Sequence, residues 1–148
     1  MKNILFFAAI AFVALVSSCK KDDTTKEPTP QERIVGRWKA SKAVIGTSDV
    51  LIPTSTSKTE LEVEFTQSGA VTFYWTNTIL TTTPPTVSES TLNGVYSWNG
   101  DILTIAMTNG SDTRTVTGPI VITETNFVFT PNSGDITTFV SLMEADKL

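Results

Sequence analysis

Histidine is absent from the 148 residues and cysteine occurs once, at Cys19. The missing imidazole excludes Ser-His-Asp and Cys-His catalysis, histidine metal sites and a pH switch built on histidine. One cysteine cannot close a disulfide within the chain. No apolar run reaches the twenty or so residues that cross a bilayer; the longest, Ile4 to Val16, has thirteen. Basic side chains are outnumbered by acidic ones, 11 to 15, for a net charge of −4, so no nucleic-acid partner is expected. No pair of carboxylates is spaced for acid/base work. An enzyme is therefore not expected, nor a cofactor or a metal site.

What the sequence has in abundance is threonine, 26 residues, with Val, Ile, Phe and Trp behind it. These types fit a pleated, half-buried surface, and they predict an all-β protein. The N-terminus reads as an address. Met1-Lys2-Asn3 is a short cationic start, the thirteen apolar residues follow, and Ser17-Ser18 are small residues of the kind a signal peptidase requires. Removal of residues 1–18 would leave 130 residues, enough for one domain with a real core and too few for two.

Val16-Ser17-Ser18-Cys19 resembles the lipobox of bacterial lipoproteins, with Val where Leu is commoner. The resemblance implies cleavage before Cys19, acylation of its sulfur with palmitate-type chains, and stable anchoring, since three acyl chains exceed the two-signal threshold. Lys20 to Asp23 resembles the short charged signal that directs lipoproteins of some Gram-negative bacteria to the cell surface. An ordinary solvated linker is the alternative, so the expected place is the outer membrane, facing periplasm or medium. Asp23-Thr24-Thr25 resembles an acceptor for O-linked sugars. Residues 19–30, polar and containing Pro28 and Pro30, read as a flexible tether, and residues 31–148 as the folded domain.

Thr29-Pro30-Gln31-Glu32 has capping-box form and predicts one helical turn before the first strand. Eight strands are then expected, near 35–45, 59–66, 70–78, 92–98, 101–108, 113–122, 126–130 and 136–143. In the second, Glu60, Glu62 and Glu64 alternate with Leu61, Val63 and Phe65. Asn99-Gly100 predicts a type I′ turn, Asn109-Gly110-Ser111 a hairpin turn, and Gly118-Pro119 a bulge in strand six.

Gly36-Arg37-Trp38, at the start of the first strand and just after the helical turn, is the pattern by which lipocalins and their bacterial lipocalin-like relatives are recognised. The sequence resembles that family over residues 31–143. The resemblance implies an eight-stranded antiparallel up-and-down barrel, with Trp38 plugging its closed end and Gly36 permitting close approach of a neighbour. A Thr-Asp-Tyr-type motif is missing, and no arginine follows Arg114 to cover the tryptophan. A two-sheet sandwich is the other arrangement open to eight strands.

In an up-and-down meander alternate connections lie at opposite ends. The short ones, 67–69, 99–100 and 123–125, predict a tight end; the long ones, 46–58 and 79–90, predict an open end. Trp38 and Trp98 fall at the tight end. Alternation puts Leu61, Trp75, Tyr96, Met107 and Phe139 in the upper interior, as cavity lining or as plain core. Arg114 at the mouth is either an inward anchor for a carboxylate or phosphate head group or a solvated rim residue. The glutamates repeat every ~6.6 Å along the strand, too far apart for one metal, and read as a solvated face.

Two functions are expected from this. One is a membrane-anchored lipocalin-like carrier of a small apolar or anionic amphipathic ligand, with a cavity of several hundred Å³ near Trp75. The other is a surface module with a filled barrel that binds a protein or a glycan.

Overall fold

The computed structural model describes residues 27–135 and 140–148. Cys19, the tether up to Lys26, and Phe139 lie outside the described residues. A short helix, α1 (Pro30–Ile34), precedes ten strands: β1 (Gly36–Ile45), β2 (Ser48–Asp49), β3 (Ser57–Phe65), β4 (Ala70–Ile79), β5 (Thr86–Asn99), β6 (Ile102–Asn109), β7 (Asp112–Ile122), β8 (Asn126–Phe129), β9 (Ser133–Gly134) and β10 (Leu142–Lys147). Eight of them, β1, β3 to β8 and β10, form an antiparallel sheet in which each strand pairs with the next. The pairing of β1 with β10 closes it into a barrel, so the sandwich alternative falls. β2 adds to β1, and β9 to β7.

The helical turn forms as its sequence predicts. The Thr29 side chain accepts from the Glu32 N–H while the Glu32 carboxylate accepts from the Thr29 N–H at 2.7 Å. Ile34 at its end is buried and accepts, through its carbonyl, the Trp38 indole N–H at 2.7 Å. The helix thereby sits against the closed end of the barrel. Trp38 and Phe65 each meet Phe127 edge-on, with ring centroids 5.1 and 6.0 Å apart, and Phe65 meets Tyr96 at 5.2 Å.

Several elements depart from the sequence pattern. In β1 the register against β10 slips between Ala40 and Lys42, leaving Ser41 as an extra residue; the inward set changes parity there, from Trp38 and Ala40 to Ala43. β7 runs through Gly118-Pro119 without a bulge. The break falls instead in its neighbour, where Thr130 to Asn132 separate β8 from β9. Gly118 makes room for that crossing: a Cβ there would lie 2.4 Å from the Thr130 carbonyl oxygen and 2.5 Å from Pro131 Cα. The last strand is β10, later than the predicted 136–143, because the chain first follows β7 through β9. At the β5–β6 hairpin Asn99 pairs with Ile102, so Gly100 and Asp101 make the turn, and of these only Gly100 takes positive φ. That is a turn with glycine at its first central position, one residue later than the expected type I′ pair.

Candidate functional site: the barrel mouth and the β4–β5 tongue

Strand polarity places the short connections 66–69, 100–101 and 123–125 at the α1 end, with the C-terminus. The long connection 46–56 lies at the other end, together with 80–85 and 110–111. The short connections gather at one end as expected and 46–56 lies at the other, but 79–90 is mostly paired strand rather than a long loop; the chain enters from the tight end.

The interior between them is occupied. Leu61, Val63, Phe65, Phe73, Leu103, Ile105 and Met107 point inward and are at most 1% exposed, so they pack against one another with no room for a cargo molecule among them. Leu61 and Met107 are thus core. Trp75, the Cα partner of Leu61, is half-buried at the mouth. Tyr96 is not in the upper interior. β5 runs toward the tight end, and the Tyr96 hydroxyl donates to the Thr66 carbonyl at 2.7 Å in the β3–β4 turn; burial raises its pKa. Arg114 does reach the mouth, opposite Met107, but as a rim residue: its side chain is 45% exposed and its Nε lies 3.2 Å from Asp112 Oδ2. Around it Leu92, Met107, Asn109 and Asp112 enclose a recess of about 140 Å³, below the roughly 300 Å³ at which small-molecule sites begin. A larger groove of about 590 Å³ lies at the tight end, lined among others by Gln31, Val35, Gln67 and Trp98, whose indole N–H is taken by the Gly100 carbonyl.

The outer face of β1, β3 and β4 is built by register. Arg37 Nε is 2.7 Å from Glu62, and Lys39 and Lys58 Nζ are 2.9 and 3.1 Å from Glu60. The Tyr74 hydroxyl donates to Glu64 at 2.8 Å, and the Arg37 guanidinium stacks 4.6 Å over the Tyr74 ring. The hydrogen bond from Lys39, then that from Lys58, holds the Glu60 carboxyl below its ordinary pKa; Glu60 in turn raises Lys39, and the bond to Glu64 raises Tyr74. The glutamate row is an outward polar face, as read from its alternation, but a half-buried and partnered one. Its partners on β1 and β4 become visible only once β1 pairs with β3.

β5 begins at Thr86, six residues before its predicted start, and pairs with β4 from there, whereas β6 meets it only from Asn93 onward. Past the end of β6 the sheet therefore continues as a tongue of β3, β4 and β5 with β5 at its free edge, and residues 86–91 are all exposed. Ile79, Leu80 and Val87 near its tip, and Ile52 in the neighbouring long connection, are exposed apolar side chains at the same end of the molecule. Residues 79–90 read as a loop because Thr81 to Pro85 interrupt any alternation and Val87 is the sole apolar residue between Thr86 and Thr91; the strand signal there is confined to β-branched Thr86, Val87 and Thr91.

Among the described residues no three acidic, cysteine or histidine side chains are grouped to hold a metal ion. No helix of the described residues is long and apolar enough to cross a membrane, which says nothing about the strands. Comparison with known proteins finds no matching family model, no matching curated protein and no matching solved structure.

Proposed function

We propose that this chain is a lipid-anchored outer-membrane lipoprotein with a lipocalin-like barrel that works through its outer surface as an interaction module. The observation that carries this reading is the filled interior. A cargo would have to displace Leu61, Phe73, Ile105 and Met107, side chains packed to zero or near-zero exposure. The anchor rests on the Cys19 lipobox. A tether that joins α1 attaches the domain by its tight end and leaves the mouth and the tongue free of the attachment point.

Two measurements test it. Cys19→Ser should move the protein from the membrane fraction to the soluble one and abolish palmitate labelling; a variant that stays in the membrane overturns the anchor. Titration with N-phenyl-1-naphthylamine should give no saturable fluorescence rise, whereas a one-to-one saturable rise lost on Leu61→Trp would restore the carrier.

A further inference from the structure

We propose that the free edge of the tongue, Thr86 to Thr91 of β5, takes an added antiparallel strand from an extended peptide carrying a cationic residue opposite Glu89. This rests on the interaction-module reading and names the edge and the kind of partner.

Hydrogen-bond phase shows what the edge lacks. The Tyr96 N–H donates to the Gly69 carbonyl at 2.8 Å, across β5 and toward β4. Because alternate residues of a strand turn their N–H and C=O to opposite sides, even-numbered residues of β5 bond β4 and odd-numbered ones face β6. Asn93, Val95, Ser97 and Asn99 find β6 there. Val87, Glu89 and Thr91 face no strand among the described residues. Three donors and three acceptors repeating every ~6.8 Å are matched by another extended backbone and by no small ligand.

Charge states what that backbone should carry. On the outer face Glu60 is bridged to Lys39 and Lys58, Glu62 to Arg37, and Glu64 to the Tyr74 hydroxyl. Glu89 continues the Glu60 and Thr76 row across the sheet to its free edge; it lines the same outer groove as Arg37 and Lys39, but both of those cations are ion-paired to Glu62 and Glu60 and not to Glu89. A Lys or Arg on the incoming strand directly opposite completes the row, and an apolar residue two places further on covers Val87, 56% exposed. A second copy of this chain fits poorly, since two-fold pairing centred on Glu89 would set two carboxylates face to face.

The test uses the full chain in detergent with the peptide acetyl-STSKSVS-amide and its Lys-to-Glu counterpart. Saturable amide shifts at Val87, Glu89 and Thr91 are expected with the lysine peptide, at least about tenfold weaker with the glutamate one, and reversed in preference by Glu89→Lys. Val87→Pro removes an outward N–H without touching a bond to β4, and should abolish binding while leaving the β4–β5 amide spectrum in place. Absence of these shifts at millimolar peptide, equal binding of both peptides, or a dimer that Val87→Pro dissolves would overturn the proposal. An absence of binding in a chain that still excludes N-phenyl-1-naphthylamine would remove this edge alone and leave the interaction-module reading standing.

Discussion

Lys147 Nζ lies 5.3 Å from the centroid of the Trp38 ring and reaches the Arg33 carbonyl at 3.4 Å, so the residue next to the C-terminus covers the tryptophan that plugs the barrel. Gly36 belongs to the same device. Its φ of +131° is one that side chains rarely adopt, and Lys147 Cε lies 3.4 Å from where its Cβ would stand. The cation over the tryptophan is a lysine and not an arginine, supplied from β10 through the pairing of Trp38 with Lys147. Lys147→Ala should cost about 0.5–1 kcal/mol of unfolding free energy, measured by denaturant titration, and Lys147→Arg should restore it. Gly36→Ala should cost about 1–3 kcal/mol through backbone strain.

Gly118→Ala is expected to be among the most harmful single methyl additions in the molecule. Its Cβ would collide with the Thr130 carbonyl and Pro131 backbone, neither of which can swing away as a side-chain tip does. Overpacking of this kind costs about 1–3 kcal/mol or more. Thermal melting should show the loss, and amide exchange should rise first at Asn132 and Asp135, whose N–H groups bond the Thr117 and Thr115 carbonyls.

Stability should fall with acid partly through Glu60. Its carboxyl is held below the ordinary 4.5 by hydrogen bonds from Lys39 and Lys58, so the contribution is present above 4.5 and is lost as pH drops through the lower folded value. Glu60→Gln should flatten the denaturation midpoint against pH over that window. High salt should weaken the same term, since the pairs are exposed.

At the alkaline side the two tyrosines of the chain give a direct optical readout. Tyr74 is raised above 10.0 chiefly by its hydrogen bond to Glu64, and Tyr96 by burial. Their contribution is full below pH 10 and is lost as pH rises through the folded values. Absorbance at 295 nm should therefore report less than half ionisation at pH 10 in the folded protein, and a jump on unfolding. Glu64→Gln should bring one tyrosine back toward 10.

The barrel was legible wherever one face of a strand is buried and the other wet. Glu60 to Phe65 and Val71 to Trp75 alternate without interruption, and Asn99-Gly100 and Gly110 mark hairpins that form within a residue of their predicted places. Legibility failed where pairing rather than burial makes the strand. Thr86 to Thr91 are wet on both faces and held only by β4, so hydrophobic period said nothing. It failed again where a neighbour decides. Ser41 slips because β10 lies beside it, and the break near Gly118 is carried by Thr130 to Asn132 on the partner strand. At the candidate site, Trp75 and Arg114 lie near the mouth while Tyr96 lies at the tight end, and the unpaired edge at Val87, Glu89 and Thr91 follows from β6 ending short of it, which no local pattern signals.

Native mass spectrometry of the protein extracted from its own cells tests the filled barrel most directly. The expected mass is that of the polypeptide from residue 19 with its covalent lipid and nothing further that is apolar and released on unfolding. A stoichiometric apolar molecule of several hundred daltons, retained in the folded ion and lost from the unfolded one, would contradict it.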